Sequence, residues 1–266
     1  MKRTFLLVVL LGVVCLFTLG CSRSSNQTIT LAGSTAFQPF AEKLAEHYMQ
    51  VHKDVRINVQ GGGSAVGIQS AISGSAAIGM ADLLELPQEA KELHPTTVAR
   101  DGIAIIVSPQ NNIQNLSAEA AHDIFTGKIT NWKDLGGMDA VIRVVSREEG
   151  SGTRRSFDKM VLKEDKLTAS SLFQNSNGTV REAVASDPNA IGYLSIGLVD
   201  NRVKAVAFNG VAPTNQNVKA NTYPLARPVY FLTKGEIKPN VQAFIDYVLS
   251  DEAQKTLEKE GLISVK

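Results

Sequence analysis

Cysteine is almost missing from this chain: the 266 residues hold two, Cys15 and Cys21, both near the N-terminus. If the first twenty residues are removed, one thiol remains and no internal disulfide can form, so stability must come from a hydrophobic core. Aromatic residues are few, with a single tryptophan, and no run of lysine or arginine appears. The lack of a basic stripe argues against a nucleic-acid partner. The formal charge of +1 falls to −1 once Lys2 and Arg3 are removed. Signs of catalysis are missing too. There is no H-E-x-x-H, and His47 and His52 lie five apart, off the i, i+4 spacing of a shared metal. Ser64 and Ser151 follow glycines, but neither has glycine on both sides at the spacing of a hydrolase nucleophile elbow. The glycine-rich segments also lack the Lys-Ser/Thr ending of a nucleotide P-loop.

The one long apolar run, Phe5 to Gly20, follows Lys2 and Arg3. It is short for a bilayer span, which needs about 20 predominantly apolar residues. A charged start, a short apolar stretch and small residues before a cut site describe an export signal over residues 1–20. Cys21 follows Thr18-Leu19-Gly20 and resembles the lipidated cysteine of a lipoprotein box. Residues 21–27, polar and small from Ser22 to Gln27, read as a flexible tether to that anchor.

Beyond the tether, β-prone runs alternate with helical patterns, which predicts α/β architecture. Thr28–Leu31, Val55–Val59, Ala77–Met80, Gly102–Val107, Val141–Ser146 and Pro228–Thr233 read as strands. Phe37, Phe40, Ala41, Leu44, Ala45 and Tyr48 share one face of a helix, Ser64–Ile72 forms another, and a helix from Val241 to about Glu260 ends the chain. The strand-helix alternation between Val107 and Thr222 suggests a second lobe inserted into the first. The expected divisions are 28–107 for the first part of lobe 1, 108–224 for lobe 2, and 225–266 for the return to lobe 1. The crossings fall near Val107–Gln110 and Thr222–Arg227.

Three glycine-bearing clusters each precede a helical pattern: Gly33-Ser34-Thr35-Ala36, Gly61-Gly62-Gly63-Ser64 and Gly150-Ser151-Gly152-Thr153. A helix start has unpaired N–H groups and the positive end of the helix dipole, so it attracts anions. Any one cluster is equally an ordinary N-cap; three of them after β-prone runs can meet at one cleft. Arg147 ends a strand four residues before Ser151, and its planar fork suits two oxygens of a tetrahedral anion. Glu149 is close enough in sequence to pair with it, although a surface ion pair would look the same. Asp82 follows the strand Ala77–Met80 and would face the same cleft. A carboxylate beside an anion repels it unless the anion carries a proton, which phosphate does near neutral pH and sulfate does not.

These motifs carry a resemblance. A-G-S-T-A-F-Q-P at 32–39, Q-G-G-G-S-A-V-G-I at 60–68, I-G-M-A-D at 78–82, I-F-T-G-K-I-T-N-W at 124–132, S-R-E-E-G-S-G-T-R at 146–154, A-I-G-Y at 190–193 and Y-P-L-A-R-P-V-Y at 223–230 are similar to the phosphate-binding proteins of bacterial phosphate ABC transporters. The closing F-I-D-Y-V-L-S-D-E-A-Q at 244–254 fits as well. The resemblance implies a two-lobed periplasmic-binding-protein-like fold of type II. Inorganic phosphate would lie between the lobes and the transporter's permease would be the partner. It implies ligand contacts from Ser34, Thr35, Ala36, Ser64, Asp82, Arg147, Ser151, Gly152 and Thr153, with Glu149 supporting Arg147. No cofactor or metal is implied, membrane contact would run through the lipid at Cys21, and the chain would act as a monomer. The alternatives are the same fold holding sulfate, molybdate or tungstate, a phosphate-ester hydrolase, or an added adhesive or sensing role.

Overall fold

The computed structural model describes residues 27–266. The expected export signal, the lipid acceptor Cys21 and the tether up to residue 26 lie outside the described residues. Gln27, expected at the end of the tether, opens the first strand.

In chain order, β1 (Gln27–Gly33) leads into α1 (Gln38–Val51), β2 (Val55–Gln60), α2 (Ser64–Ser73) and β3 (Ile78–Asp82). β4 (Leu93–Val107) then runs for 15 residues. β5 (Asn115–Leu116), α3 (Ala118–Thr126), β6 (Arg143–Arg147) and α4 (Gly152–Phe157) follow, α4 being prolonged by a π turn over Asp158–Leu162. β7 (Leu172–Gln174), α5 (Asn177–Ala185), β8 (Ala190–Ser195), β9 (Lys204–Phe208) and α6 (Asn215–Lys219) complete the middle of the chain. β10 (Ala226–Lys234), α7 (Pro239–Val248) and α8 (Asp251–Lys259) close it.

The strands form one curled sheet in the order β2-β1-β3-β10-β4-β8-β6-β7, with β9 beside β4 and β5. Two main cores lie along it. In the first, α1, α7 and α8 cover the sheet through Ile29, Leu31, Phe37, Leu44, Phe231 and Phe244. Phe37 meets Phe231 edge-on with centroids 5.8 Å apart. In the second, Ile105, Phe125, Trp132, Phe157 and Tyr193 pack together, and Phe157 stacks on Tyr193 at 3.9 Å. Full burial of one such aromatic side chain contributes about 2 kcal/mol. Smaller clusters under α2 and α5 cover the opposite faces, so both sides of the sheet are buried.

β4 belongs to both cores. Leu93–Gly102 pairs with β10, and Ile103–Val107 pairs with β8 and β9. The exchange of partners therefore falls between Gly102 and Ile103, opposite the start of β10 at Ala226, rather than at Val107–Gln110. The Gly102–Val107 run is strongly β-prone on either side of that point, so local sequence gives no break where the strand changes neighbours.

The final helix also differs from expectation. Val241–Glu260 is two helices, broken at Leu249–Ser250. The Ser250 hydroxyl accepts from Ala253 N at 3.3 Å, and Asp251 and Glu252 occupy the new first turn. Both are helix-start signals that outweigh the continuous apolar spacing. Among the described residues no helix is long and apolar enough to cross a membrane.

Candidate functional site

The three glycine-bearing turns follow β1, β2 and β6 and come together beside the carboxyl end of β3, where the two cores face each other. The first turn is shaped by Gly33, whose φ is +136°. A Cβ there would lie 2.1 Å from Met80 O and 2.7 Å from the Gly67 Cα, so only glycine allows α2 and β3 to approach β1 this closely. Ser34 N donates to Met80 O at 2.9 Å. Ser34 Oγ accepts from Ala36 N at 3.2 Å and Phe37 N at 3.1 Å, which closes the turn leading into α1. Two of the expected ligand groups, the Ser34 oxygen and the Ala36 N–H, are thereby joined to each other. Thr35 Oγ1, in contrast, points across the interface and accepts from Arg147 Nη2 at 3.2 Å.

The second turn is tied to the first by Gly63 N donating to Gly33 O at 2.9 Å. Gly62 and Gly63 both have positive φ, at 131° and 89°. Ser64 Oγ donates to Asp82 Oδ1 at 2.9 Å and accepts from Asp82 N at 3.1 Å, a two-way link that fixes the carboxylate. Ala65 N, in the first turn of α2, donates to Gly150 O of the third turn at 3.1 Å.

In the third turn, Ser151 Oγ caps α4 by accepting from Arg154 N at 3.2 Å. A Cβ on Gly152 would fall 2.2 Å from Ser64 Oγ and 2.5 Å from Asp82 O. Glycine at 152 is what allows the two lobes to close against each other. Thr153 Oγ1 donates to Asp82 Oδ2 at 3.2 Å and accepts from Arg227 Nη2 at 3.0 Å.

Arg147 leaves the end of β6 with only 1 % of its surface exposed. Its Nε donates to Glu148 Oε2 at 3.0 Å and to Gln174 O at 3.1 Å, and Nη2 donates to Glu148 Oε1 at 2.8 Å. The support comes from Glu148, not from Glu149 as expected. Ser151 N closes a turn onto Glu148 O at 3.1 Å, which folds residue 148 back beside the guanidinium and leaves Glu149 exposed. Nη1 of Arg147 is buried and has no hydrogen-bond partner among the described residues. A buried cationic donor left unpaired costs about 1–3 kcal/mol, which an anionic oxygen at that position would offset.

Two contributors were not anticipated. Asn177, at the start of α5, reaches Thr35 Oγ1 with Nδ2 at 3.5 Å while its Oδ1 accepts from Ser195 N at 3.1 Å. Arg227, in β10, is 1 % exposed and lies 2.5 Å from Asp82 Oδ2 and 3.0 Å from Asp101 Oδ2. The Y-P-L-A-R-P-V-Y motif contained this arginine, and an arginine beside a strand proline in a chain crossing was the available signal. Burial raises the Asp101 carboxyl above the ordinary aspartate range; Arg227 and the Ser195 hydroxyl act in the opposite direction without cancelling it. A surface depression of about 770 Å³ includes Thr28, Ser73, Ala77 and Lys234 at the other end of the sheet and none of these groups. Among the described residues no cluster of metal-ligating side chains is present.

Two α/β lobes with facing helix starts, a buried arginine and a buried carboxylate define a bilobed binding protein built around an anion. The comparisons agree. The PBP superfamily domain matches residues 22–252. The phosphate-binding protein PstS of Bacillus subtilis is 37 % identical over 246 residues, covering 91 % of this chain and 82 % of the relative. The PstS of Borreliella burgdorferi is 28 % identical over the full length of both. A Clostridium perfringens structure, described as a phosphate ABC transporter substrate-binding protein with bound phosphate, superposes with a TM-score of 0.87 at 41 % identity, over 90 % of this chain and all of that one. An ABC-type phosphate transport receptor from Vibrio cholerae gives a TM-score of 0.74 at 37 % identity, over 88 % and 99 %. The chain belongs to the PBP superfamily and, within it, to the phosphate-binding protein PstS family.

Proposed function

We propose that this protein captures inorganic phosphate outside the cytoplasm and delivers it to the permease of an ABC transporter. The observation that carries the reading is the buried Nη1 of Arg147, without a hydrogen-bond partner among the described residues, on a guanidinium that reaches across to Thr35 of the first glycine-bearing turn. Arg147 supplies the one charged donor aimed at the ligand, with Glu148 fixing the plane of its fork. Hydroxyl and N–H groups of Thr35, Ser64, Ser151, Gly152 and Thr153, from the same three turns, add donors without net charge. Asp82 accepts the proton that phosphate carries and sulfate lacks. The PstS relatives favour phosphate over sulfate, molybdate or tungstate, and favour capture over ester hydrolysis.

Donors from both lobes must reach one ion, so the lobes close on binding, with the strand crossings at Gly102–Ile103 and Leu225–Arg227 acting as the hinge. The lobes then correspond to residues 28–102 with 226–266, and 103–225. Cys21 would carry a lipid that holds the exported chain to its membrane, and a C21A variant recovered from the soluble fraction would support this. Titration calorimetry of the mature protein with phosphate and with sulfate tests the central reading. Phosphate binding with sulfate weaker by ~100-fold or more is expected from one mismatched buried hydrogen bond to a charged group; equal affinities would reject it.

A further inference from the structure

We propose that Arg227 sets the anion discrimination of this site by holding Asp82 as an ionised acceptor, an inference that rests on the phosphate reading above. Arg227 leaves β10 opposite Asp101 in the ladder with β4, two residues before Val229, which is paired with Asp82 in β3. Its guanidinium donates from Nη1 to Asp82 O at 3.2 Å and from Nη2 to Asp101 Oδ2 at 3.0 Å and Thr153 Oγ1 at 3.0 Å. The same Nη2 lies 2.5 Å from Asp82 Oδ2. One cation thus serves two buried carboxylates and a hydroxyl from the opposite lobe.

Toward Asp82 and its neighbours, β10 brings Arg227 and β4 brings Asp101, while α2 and α4 turn the hydroxyls of Ser64 and Thr153 onto its carboxylate; Arg154 of α4 is held by Asp158 and the Arg147 carbonyl. Beyond them, Arg147 of β6 is paired with Glu148. Around Asp82 there are therefore two carboxylates for one guanidinium, and among the described residues Arg227 is the only cation within salt-bridge distance of either. A buried carboxylate deprived of its cation takes up a proton. Asp82 in that state would present a hydroxyl and would donate to sulfate as readily as it accepts from phosphate. Selectivity thus depends on a residue that need not touch the ligand at all. Arg227 is in this sense a positioning residue, acting through Asp82.

The test is calorimetry with inorganic phosphate and inorganic sulfate on the full mature protein, comparing wild type, R227Q and the double variant R227M/D101N. The double variant removes the second carboxylate with the cation, so only Asp82 is left unpaired, and circular dichroism melting establishes that each protein is folded. The ratio of sulfate to phosphate affinity should rise at least ~10-fold in the Arg227 variants, about the effect of one charged hydrogen bond. A purely structural role would weaken both anions equally, and an unmoved ratio in a folded variant overturns the inference. Failure of the wild type to bind phosphate would instead reject the phosphate reading, a separate and visible outcome.

Discussion

Arg147 and Arg227 are buried to the same extent, each 1 % exposed, yet their surroundings differ. Arg147 sits against one carboxylate, Glu148, which is itself one-third exposed, and keeps Nη1 without a partner among the described residues. Arg227 faces two carboxylates that are almost fully buried and has only Nε unpartnered among the described residues. The first arrangement leaves positive charge available to a ligand. The second consumes it inside the protein, because two buried carboxylates need the cation more than any anion could. One buried arginine thus keeps a donor free while the other is taken up by two carboxylates of the protein itself.

The largest way to break this contrast is R147A. Phosphate affinity should drop by more than ~100-fold, since a charge-assisted contact on the order of 3 kcal/mol is lost. Calorimetry reads it, and a loss below about threefold would mean that Nη1 does not face the ligand. G152A is expected to come next. Its Cβ would meet Ser64 Oγ at 2.2 Å, so closure is opposed while each lobe keeps its own core. Overpacking of this kind costs about 1–3 kcal/mol, hence ~10-fold weaker binding with the melting temperature of the ligand-free protein little changed. Small-angle scattering should then show a smaller decrease in radius on adding phosphate than in wild type. An unaltered decrease would remove glycine 152 from the closing contact.

A finer comparison separates neighbours. E148Q should weaken phosphate binding about threefold by loosening the Arg147 fork, while E149Q should leave it unchanged, since Glu149 is exposed. Equal effects would show that the turn after β6 is placed differently in solution. The smallest effect concerns stability. Because burial raises Asp101, the folded state holds its proton at pH values where the unfolded chain has released it. Stability from this group is present at acid pH and is lost as pH rises from the ordinary aspartate range through the raised value. Urea midpoints measured against pH should fall across that window in wild type and lose that component in D101N. An identical slope in both would mean that Asp101 does not titrate there.

The turns at Gly33, Gly63 and Gly152 were legible because their signals are local: a strand end, glycine, and a hydroxyl residue before an apolar helical face. Arg147 was legible for the same reason, lying four residues from Ser151 on one side of a turn. Its true support was not. Glu148 and Glu149 are chemically identical neighbours, and a single backbone bond, Ser151 N to Glu148 O, decides which of them turns inward. Arg227 escaped for a different reason. Its partners at 82, 101 and 153 are distant in sequence and come from three separate elements, so no spacing rule connects them.

The amino-acid sequence by itself determined the alternating strands and helices, the apolar faces that build two cores, and the three glycine-bearing turns that open helices. Those follow from periodicity and backbone chemistry within a few residues. The tertiary structure alone decided where β4 changes partners and that one guanidinium lies between two carboxylates. Each of these depends on which distant groups burial brings within about 3 Å, where hydrogen bonds form and a low dielectric makes charges interact strongly.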